Sequence, residues 1–309
     1  MTGRVFASLT LCLGSMGMGW ILGRARLLKE AQARWIIRLV VTWIAPLILC
    51  LLFWGIEVAG AGSSLLPVIG LAASCAALLP AWAYARAAQL KRPHAGSFLT
   101  CAMFSNVGYL GAFIAFALHG EAGYGLAMLY LLFFTPAFYL FGFGIARRYG
   151  AHAVDMRGAM NLDTIRFLPF VGLLLGLGLK MSHLPRPMVC ASVNHVLIPL
   201  ETGAYLMAIG SQLRLPRPSR QWLMPVLVMC AIKFLYTPAV GWVMSRAMGL
   251  DGLPRFVVLL QASMPVAISP LMLPMLFGLD RRLSGALWLY TTLASVPWLF
   301  LYLPAIAPW

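Results

Sequence analysis

Apolar and polar residues follow one another in long blocks along this chain. Ten apolar stretches, at about residues 5–23, 35–54, 64–85, 96–118, 122–146, 164–181, 187–212, 222–246, 254–278 and 283–306, are separated by short polar gaps. Most reach the roughly 20 residues that a helix needs to cross a bilayer, and the sixth is the shortest. Strands of a membrane barrel alternate apolar and polar positions over about ten residues. These stretches do not alternate, so the pattern predicts an all-α membrane protein with ten transmembrane helices.

Charge gives the predicted helices a direction. Of the 23 Lys and Arg residues, 17 fall in the gaps after spans one, three, five, seven and nine. They are Arg24, Arg26, Lys29, Arg34, Arg38, Arg86, Lys91, Arg92, Arg147, Arg148, Arg157, Arg166, Arg214, Arg217, Arg220, Arg281 and Arg282. The termini and the other gaps hold only Arg4, Lys180, Arg186, Arg246 and Arg255. Cations collect on the cytoplasmic side of membrane proteins, so both termini are expected outside, in a bacterial-type cytoplasmic membrane. The first span lacks the cleavage site of a signal peptide, and its cations follow it rather than precede it. It is read as a retained helix.

Composition agrees: 61% of residues are hydrophobic, 10% are charged, and mean hydropathy is +0.87. The net charge of +15 sits in membrane-flanking gaps with no interleaved aromatics. It therefore points to anionic lipid headgroups and away from nucleic acid. Cys12, Cys50, Cys75, Cys101, Cys190 and Cys230 all lie in apolar runs without a C-x-x-C pair, and read as packing residues. No nucleotide, hydrolase or metal motif is present. No catalytic residue, metal or cofactor is expected.

The longest gap, 147–163, divides the spans five and five. The expected organisation is one five-helix repeat over 1–146, a central cytoplasmic loop over 147–163, and a second repeat over 164–309. An odd number of spans per half makes the halves enter from opposite sides, as in inverted repeats. Three prolines recur in order between the halves: Pro46 with Pro199, Pro80 with Pro238, and Pro136 with Pro297, at offsets of 153, 158 and 161 residues.

Spans four and nine are the chemically unusual pair. Ser105, Asn106 and Gly108 interrupt the middle of span four; Gln261, Ser263, Pro265, Ser269 and Pro270 interrupt span nine. Proline removes a backbone donor and clashes with the preceding turn. Half-helix starts expose N–H groups that attract anions, and half-helix ends expose carbonyls that attract cations. The plainer alternative is close helix packing with a proline kink. Two charges lie inside spans, Glu201 in span seven and Lys233 in span eight, each ~20 Å from the outer end of its helix. Isolated charges there are costly. Lys233 is read as attracting an anion or as taking part in proton coupling, with Glu201 as its counter-charge. Asn194 and His195 read as hydrogen-bonded packing residues, Arg38 as snorkelling to the surface, and Trp35, Trp222 and Trp309 as interfacial anchors.

NVGYLGAF in span four, LLQASMPVAIS in span nine, and LFGLDRR leading to TTLASVPW resemble the auxin efflux carrier family. That family includes plant auxin carriers and bacterial permeases for malonate, malate and similar anions. The stretch around Gln261, Met264 and Pro265 is its most specific part, and Asn106 with Gly108 the next. The resemblance implies a scaffold of spans one, two, six and seven. It also implies a transport domain of spans three to five and eight to ten, with crossed, broken helices four and nine. Substrate would bind at the crossing, at Ser105, Asn106, Gly108, Gln261, Ser263, Met264, Pro265 and Lys233, and move by an elevator-like displacement. Two features depart from the family. Phe113 stands where a proline often follows the N-x-G motif, and span three lacks the charged pair of plant carriers between Ser64 and Tyr84.

The expected function is secondary active transport of small organic anions, carboxylates such as malonate or malate, coupled to a proton or to sodium. Membrane lipids are expected partners, and a homodimer is left open. The alternatives are a sodium-coupled carrier of a larger, steroid-like anion, a membrane-embedded transferase, and a sensor that binds without flux. A transferase calls for clustered His, Asp or Glu near one interface, whereas the eight acids here are scattered.

Overall fold

A computed structural model describes residues 2–55, 61–151, 168–213 and 219–306. The termini, most of the central loop expected at 147–163, and Arg157, Arg166, Arg214, Arg217 and Trp309 lie outside the described residues. The described part is helical, with no strand beyond one isolated bridge.

The helices are α1 (Thr2–Arg24), α2 (Glu30–Gly55), α3 (Gly62–Ala87), α4 (Arg92–Met103), α5 (Val107–Tyr149), α6 (Leu168–Met181), α7 (Val189–Gln212), α8 (Arg220–Ala247), α9 (Gly252–Ala262), α10 (Leu273–Phe277) and α11 (Arg281–Ile306). Among the described residues, six runs are long and apolar enough to cross a membrane: Gly3–Arg24, α2, α3, α5, α8 and α11. That is fewer than ten for physical reasons. Breaks cut spans four and nine into pieces shorter than a bilayer. α5 joins the end of span four to span five through Gly120, whose φ of 61° and ψ of −150° turn the chain. α7 has the length, at 24 residues, but carries Asn194, His195 and Glu201. Span six is described only from Leu168.

The chain divides into two compact units. The first comprises Met1–Val58, Ala112–Gly125 and Met156–Leu213; the second comprises Ala59–Gly111, Leu126–Asp155 and Arg214–Trp309. In the first unit, glycines bring helix backbones together. A Cβ at Gly19 or Gly23 of α1 would strike the backbone of Met207 or Ser211 of α7. A Cβ at Gly172 or Gly176 of α6 would strike that of Pro46 or Cys50 of α2. In each pair both partners advance by four residues together, so α1 runs parallel to α7 and α6 runs parallel to α2. Small residues at such seams are the usual device where lipid removes the hydrophobic drive for helix association. The second unit holds α3, α4, most of α5, and α8 to α11.

Candidate functional site

The site lies in the second unit, where two helices stop. α4 ends at Met103 and helix resumes at Val107. α9 ends at Ala262 and helical turns resume at Ser269. The two gaps pair with each other. Ser105 and Val266 form an antiparallel bridge. Asn106 N–H donates to Pro265 O at 2.8 Å, and Ala267 N–H donates to Phe104 O at 3.0 Å. Val266 N–H donates to Thr291 Oγ1 of α11 at 3.2 Å. Pro265 explains the second gap locally, since it lacks a donor and disfavours helix at Met264. α4 has no proline near its end, its one proline being Pro93 in the first turn. Its gap persists because Pro265 O and Ala267 N–H supply the hydrogen bonds that helix would have made.

α8 closes the carbonyl ends of both broken helices. Lys233 Nζ donates to Ala102 O at 2.6 Å and to Ser105 Oγ at 2.8 Å. One turn on, Thr237 Oγ1 lies 2.7 Å from Ala262 O, the shortest of its three carbonyl contacts. Residues four apart share a helix face. The intervening turn, Ile232–Tyr236, is a π-turn, which widens the helix locally. Lys233 is fully buried. Its amine sits where the last carbonyls of α4 leave partial negative charge.

The N–H side of the first gap is more open. Ser105, Asn106 and Gly108 are half-buried. A Cβ at Gly108 would meet nothing within 4 Å. The first N–H groups of a helix have no intrahelical partner; in the turn that starts at Val107, the Val107 N–H donates to Ser105 O at 2.8 Å, and Gly108 follows it. An apolar groove lined by Gly70, Phe104, Tyr130 and Phe134 reaches Ser105 and Val107.

The remaining sequence-selected residues sit deeper. Gln261 is fully buried, and neither atom of its amide has a hydrogen-bond partner. It packs against Gly111, where a Cβ would meet its Oε1 and, at 2.9 Å, Met264 Cγ. Ser263 and Met264 are fully buried, and Ser263 Oγ donates to Leu260 O at 2.9 Å within α9. The structure thus joins Ser105, Asn106, Pro265 and Lys233 through direct hydrogen bonds. It keeps Ser263 and Met264 in the packing beneath.

Glu201 belongs to the first unit. It is 5% exposed and accepts from Tyr124 Oη at 3.3 Å. A second carboxylate there escaped sequence reasoning. Glu121, next to the Gly120 turn, receives Arg186 Nη1 at 2.9 Å, Arg186 Nη2 at 2.7 Å and Asn194 Nδ2 at 2.6 Å. The hydrogen-bonded Glu121 carboxylate raises the Arg186 guanidinium above its ordinary value. His195 is a packing neighbour of Phe116, with ring centres 5.2 Å apart. Among the described residues, no group of three His, Cys, Asp or Glu is placed to hold a metal. The six cysteines form no disulfide.

Membrane-length apolar helices, with two others interrupted and hydrogen-bonded at their gaps, define a multi-pass membrane protein with polar backbone held inside it. The profile of a family described as membrane transport protein matches residues 10–303. The chain belongs to this family, that of the auxin efflux carriers. A similar protein is the uncharacterized transporter MJ1031 of Methanocaldococcus jannaschii, 26% identical over 216 residues, which cover 67% of each chain. This protein is a transporter and not an enzyme.

Proposed function

We propose that this transporter is a secondary carrier of small organic anions, carboxylates such as malonate or malate, and that the anion binds at the paired gaps. The observation that carries this reading is the asymmetry of the gaps. The carbonyl ends of α4 and α9 are taken by Lys233 and Thr237. The N–H side of the first gap is the more open one: Ser105, Asn106 and Gly108 are half-buried, and a Cβ at Gly108 would meet nothing within 4 Å. A negative guest is favoured at a helix start, and Lys233, bonded to Ser105, adds positive potential. Asn106 and the backbone at Gly108 hold the carboxylate, while Gln261 supports the gap from beneath.

The same asymmetry favours this reading over a sodium-coupled carrier of a steroid-like anion. The carbonyl oxygens of Ala102 and Ala262, at the ends of the two broken helices, already accept from Lys233 and Thr237. The parallel pairing of α1 with α7 and of α2 with α6 supports two inverted five-helix repeats. Short connections make α1 antiparallel to α2, so α6 runs opposite to α1. The division into units supports a scaffold built on α1, α2, α6 and α7 and a moving domain built on the rest. Alternating access is then an elevator-like displacement, with both termini outside a cytoplasmic membrane.

Purified protein screened by thermal shift against a carboxylate panel, then assayed for flux of each hit in proteoliposomes, tests the assignment. Stabilisation and flux by a small carboxylate, unchanged when sodium is replaced by N-methylglucamine, are expected. No shift and no flux with any organic acid would overturn the substrate class. Sodium-dependent flux of a larger, steroid-like anion in place of any small carboxylate would restore the alternative.

A further inference from the structure

We propose that the corner joining α1 to α2 is a binding site for one anionic phospholipid. Its acyl chain lies in an apolar groove, and its phosphate meets Arg26 and Lys29. This site is in the first unit and independent of the anion reading above.

The corner is built rather than loose. Arg26 adopts a left-handed conformation, with φ of 60°. The N–H groups of Leu27 and Leu28 both donate to Leu22 O, at 3.0 and 3.2 Å. That arrangement closes the C-terminal end of α1 and fixes the side chains that follow. Leu27, Leu28, Ala31, Gln32, Trp35 and Ile36 line a groove of about 470 Å³. Its walls face outward: Leu27 is 70% exposed and Trp35 is 63% exposed. A tryptophan in this position suits the boundary between headgroups and hydrocarbon.

Charge decides what fits the groove. Five cations lie between residues 24 and 38, against one acid, Glu30. Glu30 is already taken by Arg34. Arg24 lies over the Trp20 ring, 4.9 Å from its centre. Arg26, Lys29 and Arg38 remain, all exposed, and of these Arg26 and Lys29 stand on either side of Leu27 and Leu28. An apolar slot flanked by two exposed cations matches a molecule with a hydrocarbon chain and an anionic head. A zwitterionic lipid fills the slot without using the cations. An acidic peptide uses the cations without filling the slot. Inorganic phosphate has nothing to place in it.

The test is native mass spectrometry and thermal unfolding of the full-length protein, titrated with phosphatidylglycerol or phosphatidylcholine of matched chains. Two cations near an anionic headgroup correspond to a preference of about thirtyfold for phosphatidylglycerol. Arg26→Gln with Lys29→Gln should abolish the preference while leaving phosphatidylcholine binding unchanged. Leu27→Gln should weaken both lipids. Arg281→Gln with Arg282→Gln, which removes the same charge from the second unit, should leave the preference intact. Equal retention of the two lipids by the unmodified protein would overturn the proposal without any variant being needed. So would a preference that survives loss of Arg26 and Lys29, or an equal thermal shift with inorganic phosphate alone.

Discussion

Replacing Lys233 with methionine separates its electrostatic role from its structural one. Met keeps most of the side-chain volume and removes the amine. Two acceptors, Ala102 O and Ser105 Oγ, then lose a donor. Leaving a buried polar atom unpaired costs about 1–3 kcal/mol. Against that, the chain no longer carries a charge into the membrane, which costs at least ~2.5–3.5 kcal/mol on insertion scales. The two effects oppose each other at similar size, so Lys233→Met should move the melting temperature little. Binding should behave otherwise. Nζ stands 2.8 Å from Ser105 Oγ, and an anion accepting from that hydroxyl at ~2.8 Å lies within about 6 Å of the amine. At an effective dielectric of about 20, a charge pair at about 6 Å is worth roughly 3 kcal/mol, or about a hundredfold in affinity. Calorimetric titration with the best carboxylate from the panel reads this directly. Thr237→Val is the control: it uncaps Ala262 O, costs about 1 kcal/mol of stability, and removes no charge. A Lys233→Met protein that binds within threefold of the original would refute the placement of the anion beside Ser105.

Three further outcomes follow from the packing. Gly111→Ala should suppress transport with the protein still folded, because the added methyl meets Gln261 Oε1 and Met264 Cγ beside the gap; overpacking of this kind costs about 1–3 kcal/mol, and flux in proteoliposomes checks it. Gly172→Ala should lower the melting temperature instead, since its Cβ meets the backbone of Pro46, which has no flexible side chain to yield. Glu121→Gln and Arg186→Gln should each destabilise by about 1–3 kcal/mol, because each strands a mostly buried partner; a double-mutant cycle in thermal or denaturant unfolding should return a coupling of at least about 1 kcal/mol.

The blocks of apolar residues carried the helix positions well: the eighth stretch, read as 222–246, is α8, Arg220–Ala247. Block reading failed where helix stops inside an apolar run. The gap at Pro265 is local chemistry and can be read from one residue. The gap at Ser105 is not, because its hydrogen bonds go to Pro265 and Ala267, about 160 residues away. Lys233 stood out as a buried charge, but its principal acceptor is a backbone carbonyl, and carbonyls carry no mark in a sequence. Thr237 was missed for the same reason, and Glu121 because an acid in a short gap looks solvated until its three donors are in view. One signal was available and unused. Gly19 and Gly23 recur as Gly172 and Gly176 at an offset of 153 residues, the same as Pro46 with Pro199. Those glycines are the seam of α1 with α7 and of α6 with α2.

The broken helices and the buried lysine explain each other. A lysine amine deep in an apolar helix is expensive unless acceptors surround it. An α-helix offers none from its middle, because every carbonyl there is already bonded. Breaking α4 after Met103 frees carbonyls such as Ala102 O and turns Ser105 toward α8, which creates the acceptors Lys233 uses. Conversely, an uncapped helix end inside the membrane leaves carbonyls unsatisfied, at several kcal/mol each. Lys233 supplies the missing donor for α4, and Thr237 supplies it for α9. On the proposed reading, a negative guest then meets the half-buried turn at Asn106 and Gly108 with the amine behind Ser105. On that reading Lys233 of α8 contributes the positive potential of the site, and a neutral residue at position 233 should relax the preference for anions even with Asn106 and Gly108 in place.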